Sequence, residues 1–398
     1  MQRANRVAAA VRAELAAEPL AARGAIVHDW FQGFHGAERV VDAIRADVFA
    51  PDAPPDVYTF HAAREVLPPA LAAAIVKDSR LASLPGIRQR HHDPGRWRYL
   101  LPYMPYYFRR LDLSAYDIVI SSSHACAVHV RPRPDALHVC YCHTPMRYAW
   151  LPETDSERAG GLRELLLRAF APHLRRLDYE ASRHPDAYVA NSEAVRQRIQ
   201  RFYGRDAVVI HPPVDVTELT PLAEKEPGRF LWVHRLVSYK RPELVIEAFR
   251  DLPYRLTMVG VGPLEERLRA TLPPNVELTA WLPRERLVEL YQKAVGFIHI
   301  AEEDFGISMV EALAAGTPVI ALDRGGARDI IRPGKDGLLL DEPDVASIRA
   351  AVARLADREW DRGVLAGRAQ IFSREMFVNR LRDYLGSLAD TPVRRVTR

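Results

Sequence analysis

Cysteine is scarce: Cys126, Cys140 and Cys142 are the only three in 398 residues. An odd and small number argues against a disulfide framework and for a reducing compartment, with the cytosol as the default. Long apolar runs are also missing. No stretch approaches the roughly 18 uninterrupted apolar residues that a bilayer span needs. The Ala/Arg-rich opening, residues 1–23, is interrupted by Glu14 and Glu18 and has no continuous apolar core, so it is expected to be an extension rather than a signal sequence. An excess of one charge sign is absent too. Fifty-five basic against 51 acidic residues give +4, without the global basic field of a dedicated nucleic-acid binder. Lysine is rare, at Lys77, Lys225, Lys240, Lys293 and Lys335. Cys140, Cys142 and His143 do not read as a zinc site, because a strand points the two thiols to one face and the imidazole to the other. Buried strand cysteines are expected instead.

What is present is ordinary globular composition, 48% hydrophobic and 27% charged, and enough length for two or three domains. Short β-rich runs alternate with helical stretches from Gly24 onward: GAIVHD (24–29), YDIVISS (116–122), LHVCYC (137–142), AYVANS (187–192) and AVVIHP (207–212). After the proline-broken segment 217–228 a second series follows: RFLWVH (229–234), RLTMVG (255–260), VELTAW (276–281), VGFIHI (295–300), TPVIAL (317–322) and GLLL (337–340). Near-continuous apolar strands alternating with helices predict an α/β fold with two successive doubly wound parallel-sheet domains. The expected division is an extension to 23, a first domain over 24–216, a linker over 217–228, a second domain over 229–372, and a closing helix and tail over 373–398. In such sheets ligands gather beyond the carboxyl ends of the strands, so a cleft between facing domains is the expected site.

The most informative segment is AEEDFGISMVEALAAGTPVIALDRGGARDII (301–331). It leaves a strand, turns through Glu303, Asp304, Phe305 and Gly306, and enters a helix at Ile307, whose first N–H groups and macrodipole favour a phosphate. Glu303 before the helix and Glu311 one turn inside it flank that anion position. Upstream, Arg235 and Lys240 lie on the loop after the first strand of the second domain, a planar fork and a point charge for phosphate oxygens.

Together with EALAAGTPVIA, the pair Gly325-Gly326 and RLVSYKR, these residues resemble the donor-site signature of retaining glycosyltransferase family 4, which has the GT-B fold. VHDWFQGFHGAERVVDAI (27–44), YCHTPMRYAW (141–150), ANSEAVRQRI (190–199) and HPPVD (211–215) are similar to its mannosyltransferase-like branch. The resemblance implies two Rossmann-like domains and roles for particular residues. Glu303 would hold donor-sugar hydroxyls and Glu311 the ribose. Arg235 and Lys240 would neutralise the departing diphosphate, with backbone amides near Phe305, Gly306 and Ile307 on the distal phosphate. His143 would face the sugar, Ser192 matches an Asn-Ser element, and Gly33 and Gly36 lie in a glycine-rich loop that lets the diphosphate approach. Two positions depart from the pattern: His234 stands where glycine is often found before Arg235, and Asp329 where a Glu is usual after the glycine pair.

No Asp-x-Asp triplet offers a metal site, so no metal or other cofactor is expected, and cationic side chains would stabilise the leaving group. The implied activity is hexosyl transfer with retention, mannose from GDP-mannose, onto a saccharide or lipid-linked saccharide in cell-surface polysaccharide synthesis. A UDP-sugar donor and a non-catalytic nucleotide-sugar-binding protein remain as alternatives. A GT-B epimerase or phosphorylase is disfavoured by the first-domain motifs, and a dehydrogenase by GVGPLE (260–265), where Glu265 stands in the third glycine place. His124 reads as structural. Residues 88–110 interleave six arginines with aromatics and one acid, which suits either packed helices or an anionic membrane surface. The expected localisation is therefore cytoplasmic, with peripheral attachment to the inner face of the plasma membrane as a hypothesis.

Overall fold

The computed structural model describes residues 18–84, 87, 96–151, 162–222 and 224–390. The chain divides into two compact units, one made of residues 1–213 and 377–398, the other of 214–376.

The first unit contains a parallel sheet of β1 (Gly24–His28), β2 (Asp56–Thr59), β3 (Ile75–Lys77), β4 (Ile118–Ser123), β5 (Leu137–Cys142), β6 (Ala187–Ala190) and β7 (Val208–Val209), ordered β3-β2-β1-β4-β5-β6-β7. Alternation along β1 decides which face each residue serves. Ile26 joins Ile118, Ile120, Val139 and Val189 beneath the helices Gly36–Ala43 and Arg374–Asp390. Ala25 and Val27 point the other way, into a core with Val119, Met104 and Phe108. The closing helix contributes Phe377, Leu381 and Leu385, spaced four apart as the sequence indicates. The three cysteines are buried; Cys140 and Cys142 pack among Val128, Tyr188 and Ala190 as small apolar residues.

The second unit has a six-stranded parallel sheet of β8 (Arg229–Val233), β9 (Arg255–Val259), β10 (Val276–Thr279), β11 (Gly296–His299), β12 (Val319–Leu322) and β13 (Gly337–Leu340), ordered β10-β9-β8-β11-β12-β13. One face packs on the helices Ile307–Ala314 and Arg362–Gln370, the other on Pro242–Phe249 and Val345–Ala356. The segment expected as a linker is part of this unit. Leu219 is buried in the same core as Val214 and Val216, so the boundary falls after Pro213, where apolar side chains begin to be shared with the second sheet.

Both sheets reverse their direction of growth once, between β1 and β4 and between β8 and β11. Such a reversal leaves the loops after the two central strands diverging, which opens a crevice at their carboxyl ends.

Segment 88–110 is partly accounted for by packing. Residues 88–95 and the side chains of 96–98 lie outside the described residues. Of the remainder, Leu101, Met104 and Phe108 are buried, Tyr107 donates a hydrogen bond to the Thr59 carbonyl, and Tyr99 and Tyr106 are exposed.

Two buried imidazoles give the first unit an acid-labile core. His138 Nε2 lies 3.0 Å from Ser121 Oγ, and burial holds both His28 and His138 down at about 3. Below pH 6.5 the unfolded chain gains protons that the folded chain refuses until about pH 3. Their contribution is therefore full above pH 6.5 and is lost as the pH falls, at up to about 1.4 kcal/mol per unit for each group. Glu38 and Asp178, both pushed up to about 7 by burial, work oppositely: the stability they add at low pH is lost as the pH rises to 7. With His129, His143, His234 and His299 also held down by burial, the imidazoles outnumber the two carboxyls, so the urea midpoint should be lower at pH 5 than at pH 7.5. His138→Gln should reduce the pH slope of that midpoint by one proton equivalent; an unchanged slope would show that His138 is protonated in the folded state.

Candidate functional site

The second unit's crevice is built from the ends of β8 and β11. β8 runs into His234 and Arg235, and Arg235 is exposed. A single turn, Ser238–Lys240, follows, and Arg241 takes a left-handed conformation (φ 54°) before Pro242 opens the next helix. That turn buries Lys240 to 5% exposure and aims its ammonium at the Glu303 carboxylate, with which it forms an ion pair. β11 ends at His299, whose Nε2 lies 3.2 Å from Glu303 Oε2. Gly306 has φ 102°, and a Cβ there would come 2.4 Å from Met309 Cε and 3.6 Å from Glu303 Oε2, so the chain enters the helix Ile307–Ala314 only with glycine at this point. The turn is clamped from behind. Gly326 N–H donates to the Glu303 carbonyl at 2.9 Å, and Gly325 (φ 60°) lies so close that a Cβ would be 2.1 Å from that oxygen.

Glu303, Lys240, Gly306 and Ile307 are thus brought together, with Arg235 at the end of the neighbouring strand. Phe305 sends its ring into the core, 5.6 Å from the ring of Phe372, and offers only its backbone. Glu311 is buried and already engaged: Oε1 accepts from Arg284 at 2.7 Å and Oε2 from the Tyr291 hydroxyl at 3.2 Å. Sequence reasoning missed Arg284, whose only local signal is its place at the start of the helix Arg284–Lys293. It also missed the pairing of His234 with His299, whose rings meet at 4.6 Å. Burial, reinforced by the Lys240 charge, holds both imidazoles well below their ordinary range. Among the described residues His234, His299 and Glu303 could hold a metal ion, each offering one donor atom, all within 4.8 Å of one another.

In the first unit the corresponding reversal gathers His28 and Asp29 at the end of β1, Ser122 to His124 at the end of β4, and His143 after β5. Asp29 is fully buried and accepts the backbone N–H groups of His124, Ala125, Cys126 and Ala127 at 2.5 to 2.9 Å, so it fills an anion nest with the chain's own carboxylate. His124 Nδ1 lies 3.3 Å from the same carboxylate, in keeping with a structural role.

His28 Nδ1 is 3.1 Å from both the Ser122 carbonyl and Ser122 Oγ, and Ser122 Oγ is 2.8 Å from His143 Nε2. A carbonyl only accepts, so the His28 proton sits on Nδ1. The Ser122 hydroxyl then finds its acceptor in His143 Nε2, which places the His143 proton on Nδ1. This tautomer is assigned by hydrogen-bond economy. Burial and the neighbouring His124 and His28 hold His143 well below its ordinary range, so it stays neutral and offers an N–H donor. Asn191 Nδ2 donates to its carbonyl at 3.0 Å.

Ser192 Oγ accepts the Val195 N–H, capping the helix Glu193–Tyr203, and donates to the side-chain Oδ1 of Asn191. Gly36 is the first residue of the helix Gly36–Ala43, and Gly33 lies in the loop before it, packed against His35.

Residues 34–218 match a family described as Glycosyltransferase Family 4, and residues 220–370 match glycosyl transferases group 1. A GDP-mannose-dependent alpha-mannosyltransferase of Mycolicibacterium smegmatis is 36% identical over 169 residues, 39% of this chain and 44% of that protein. A D-inositol 3-phosphate glycosyltransferase of Acidothermus cellulolyticus is 34% identical over 148 residues, 32% of this chain and 33% of that protein. The chain therefore spans less than half the length of these curated relatives in alignment. Anabaena HepE, solved in complex with UDP, superposes with a TM-score of 0.66 at 17% identity, covering 91% of this chain and 100% of that one. The lipopolysaccharide outer core galactosyltransferase WaaB, in its apo form, gives 0.64 at 17% identity, covering 93% and 100%. At that identity the likeness concerns the fold.

Proposed function

Because this chain belongs to glycosyltransferase family 4 and has the GT-B fold, we propose that it is a retaining hexosyltransferase that moves mannose from GDP-mannose onto a saccharide acceptor. The observation that carries this reading is the buried Lys240 ammonium paired with Glu303 at a glycine turn, directly before the start of the helix Ile307–Ala314. Cleaving a glycosyl diphosphate develops negative charge on the departing β-phosphate. Lys240, Arg235 and the helix N–H groups are fixed before the reaction and gain most when that charge appears. Glu303 takes donor-sugar hydroxyls, and the sugar exchanges with the ammonium for its lone pairs. Glu311, held by Arg284 and Tyr291, binds the ribose. His143 donates a hydrogen bond to a sugar hydroxyl rather than acting as a base. Phosphate charge is met by side chains and helix N–H groups, so turnover should survive chelating agents.

The named relatives support both halves of the donor assignment to different degrees. The mannosyltransferase of Mycolicibacterium smegmatis is GDP-mannose-dependent by name, whereas the HepE complex holds UDP, which keeps a UDP-sugar as the second reading. A thermal-shift panel of nucleotide sugars decides between them. A donor at 100 times its dissociation constant stabilises the folded state by about 2.7 kcal/mol. GDP-mannose should give the largest shift; a larger shift with UDP-glucose or UDP-galactose would overturn the donor assignment. Transfer or slow donor hydrolysis by the purified chain separates an enzyme from a non-catalytic binder.

The acceptor we propose is a lipid-linked saccharide, reached with exposed Tyr99 and Tyr106 at an anionic membrane surface. Sedimentation with anionic liposomes should retain the chain at low salt. His143 yields a further expectation. As a neutral donor it adds no ionisation, so His143→Gln, which keeps an N–H donor, should lower kcat/KM without moving the pH profile. Loss of an acid limb near pH 6.5 in that variant would show that His143 titrates.

A further inference from the structure

We propose that His234, His299 and Glu303 form a binding site for a divalent transition metal of the zinc class, and that the metal shuts the donor pocket rather than serving transfer. Two imidazole nitrogens here, His234 Nε2 and His299 Nδ1, are buried without a hydrogen-bond partner, and His299 Nε2 faces the Glu303 carboxylate at 3.2 Å. Buried polar atoms in proteins are usually satisfied, and here unsatisfied imidazole nitrogens converge with a carboxylate, which marks a place for a ligand. Their chemistry selects it. Neutral imidazoles expose lone pairs, and two of them with one carboxylate suit zinc, cobalt or nickel and not magnesium or calcium, which take oxygen.

The geometry agrees. The three donor atoms lie within 4.8 Å of one another, and His299 Nε2 and Glu303 Oε2, at 3.2 Å, already match the spacing of about 3.3 Å between ligand atoms in a tetrahedral zinc site. His234 is pre-set for the task. Its backbone hydrogen bond with Ile298 engages the other ring nitrogen, which leaves the lone pair on Nε2, the usual way a ligand imidazole is fixed from behind. The position is this chain's own device, since glycine often precedes the arginine in the resembling family.

Lys240 sets the consequence. Its ammonium holds the same carboxylate, so metal and lysine compete for Glu303, and a bound cation loosens the group that meets the leaving phosphate. Metal occupancy therefore opposes donor binding. Binding of the metal stands apart from the transferase reading; only the inhibition rests on it.

The test titrates Zn2+ and Co2+ into the full, nucleotide-free chain by calorimetry and visible absorption. Expected are one saturable equivalent, intense four-coordinate cobalt bands without thiolate charge transfer, and at least tenfold weaker binding in both His234→Gly and His299→Asn. Lys240→Met should bind Zn2+ at least tenfold more tightly. Absence of saturable binding, thiolate bands, or affinities unchanged in His234→Gly would overturn the site. Should His299→Asn fail to refold, as judged by circular dichroism, His234→Gly and Lys240→Met still decide. Saturable binding that leaves KM for the donor unchanged would remove the inhibitory role and keep the site.

Discussion

Lys240→Ala and Glu303→Ala should each lower turnover at least about 10²-fold, the usual loss when one pre-aimed group that meets transition-state charge is removed. Unfolding is not the reason for that loss. The pair lies between two regimes: exposed ion pairs contribute under about 1 kcal/mol, whereas breaking a fully buried one costs about 3 to 5 kcal/mol. Glu303 keeps a quarter of its side chain in solvent, so water and His299 can serve it once Lys240 is gone. Both variants should remain folded while kcat falls. Because the two groups share one interaction, the double variant should lose less than the product of the single losses. Lys240→Arg will not restore the rate, since a planar fork replaces a compact ammonium in a buried slot. Steady-state kinetics with matched circular dichroism provide the check, and near-wild-type turnover in both single variants would end the assignment.

Gly326→Ala should be nearly as damaging without touching a charged group. A methyl there would lie 2.2 Å from the Phe305 carbonyl oxygen, 2.3 Å from its Cα and 2.6 Å from its carbonyl carbon, all backbone atoms with no freedom to rotate aside. Overpacking of this kind costs about 1 to 3 kcal/mol. Relief comes from pushing back the turn that carries Glu303, and a displacement near 1 Å in a positioned group can cost about 10²-fold in rate. Turnover should thus fall by at least about tenfold, with a lowered melting temperature. Gly367, inside the helix Arg362–Gln370, supplies the contrast. Apart from its chain neighbours and its own helix backbone, no atom lies within 4 Å of its added Cβ, so Gly367→Ala should stabilise the protein by about 0.5 to 1 kcal/mol and leave turnover alone. Equal effects at both glycines would contradict the clamp.

Much of the architecture was legible along the chain. β1, β4 and β5 are apolar runs bounded by turn residues, and the segments read as β8, β9, β11 and β12 are too, so their existence did not depend on context. β2 and β3 escaped notice because four and three residues, DVYT and IVK, are too short to show a period, and they become strands only by pairing beside β1. The segment 217–228 looked like a linker because its prolines and charges are read one by one, whereas burial of Leu219 depends on a sheet that begins ten residues later.

The site divides along the same line. Gly306 before a helix, a glycine pair after the next strand and a basic loop after β8 are local patterns, so the chain announced where charge and tight turns would be. Contacts between them obey strand order, which differs from chain order. His234 and His299 are 65 positions apart in sequence and touch because β8 and β11 are parallel neighbours, with Leu231 opposite Phe297. Ser122 links His28 to His143 for the same reason, since β1, β4 and β5 lie side by side. Composition and periodicity were sufficient for two parallel sheets and for the loops that bear the polar groups. Which of those groups became buried partners, and hence which proton or cation each one holds, was settled only when each sheet reversed its direction of growth and set distant strand ends against one another.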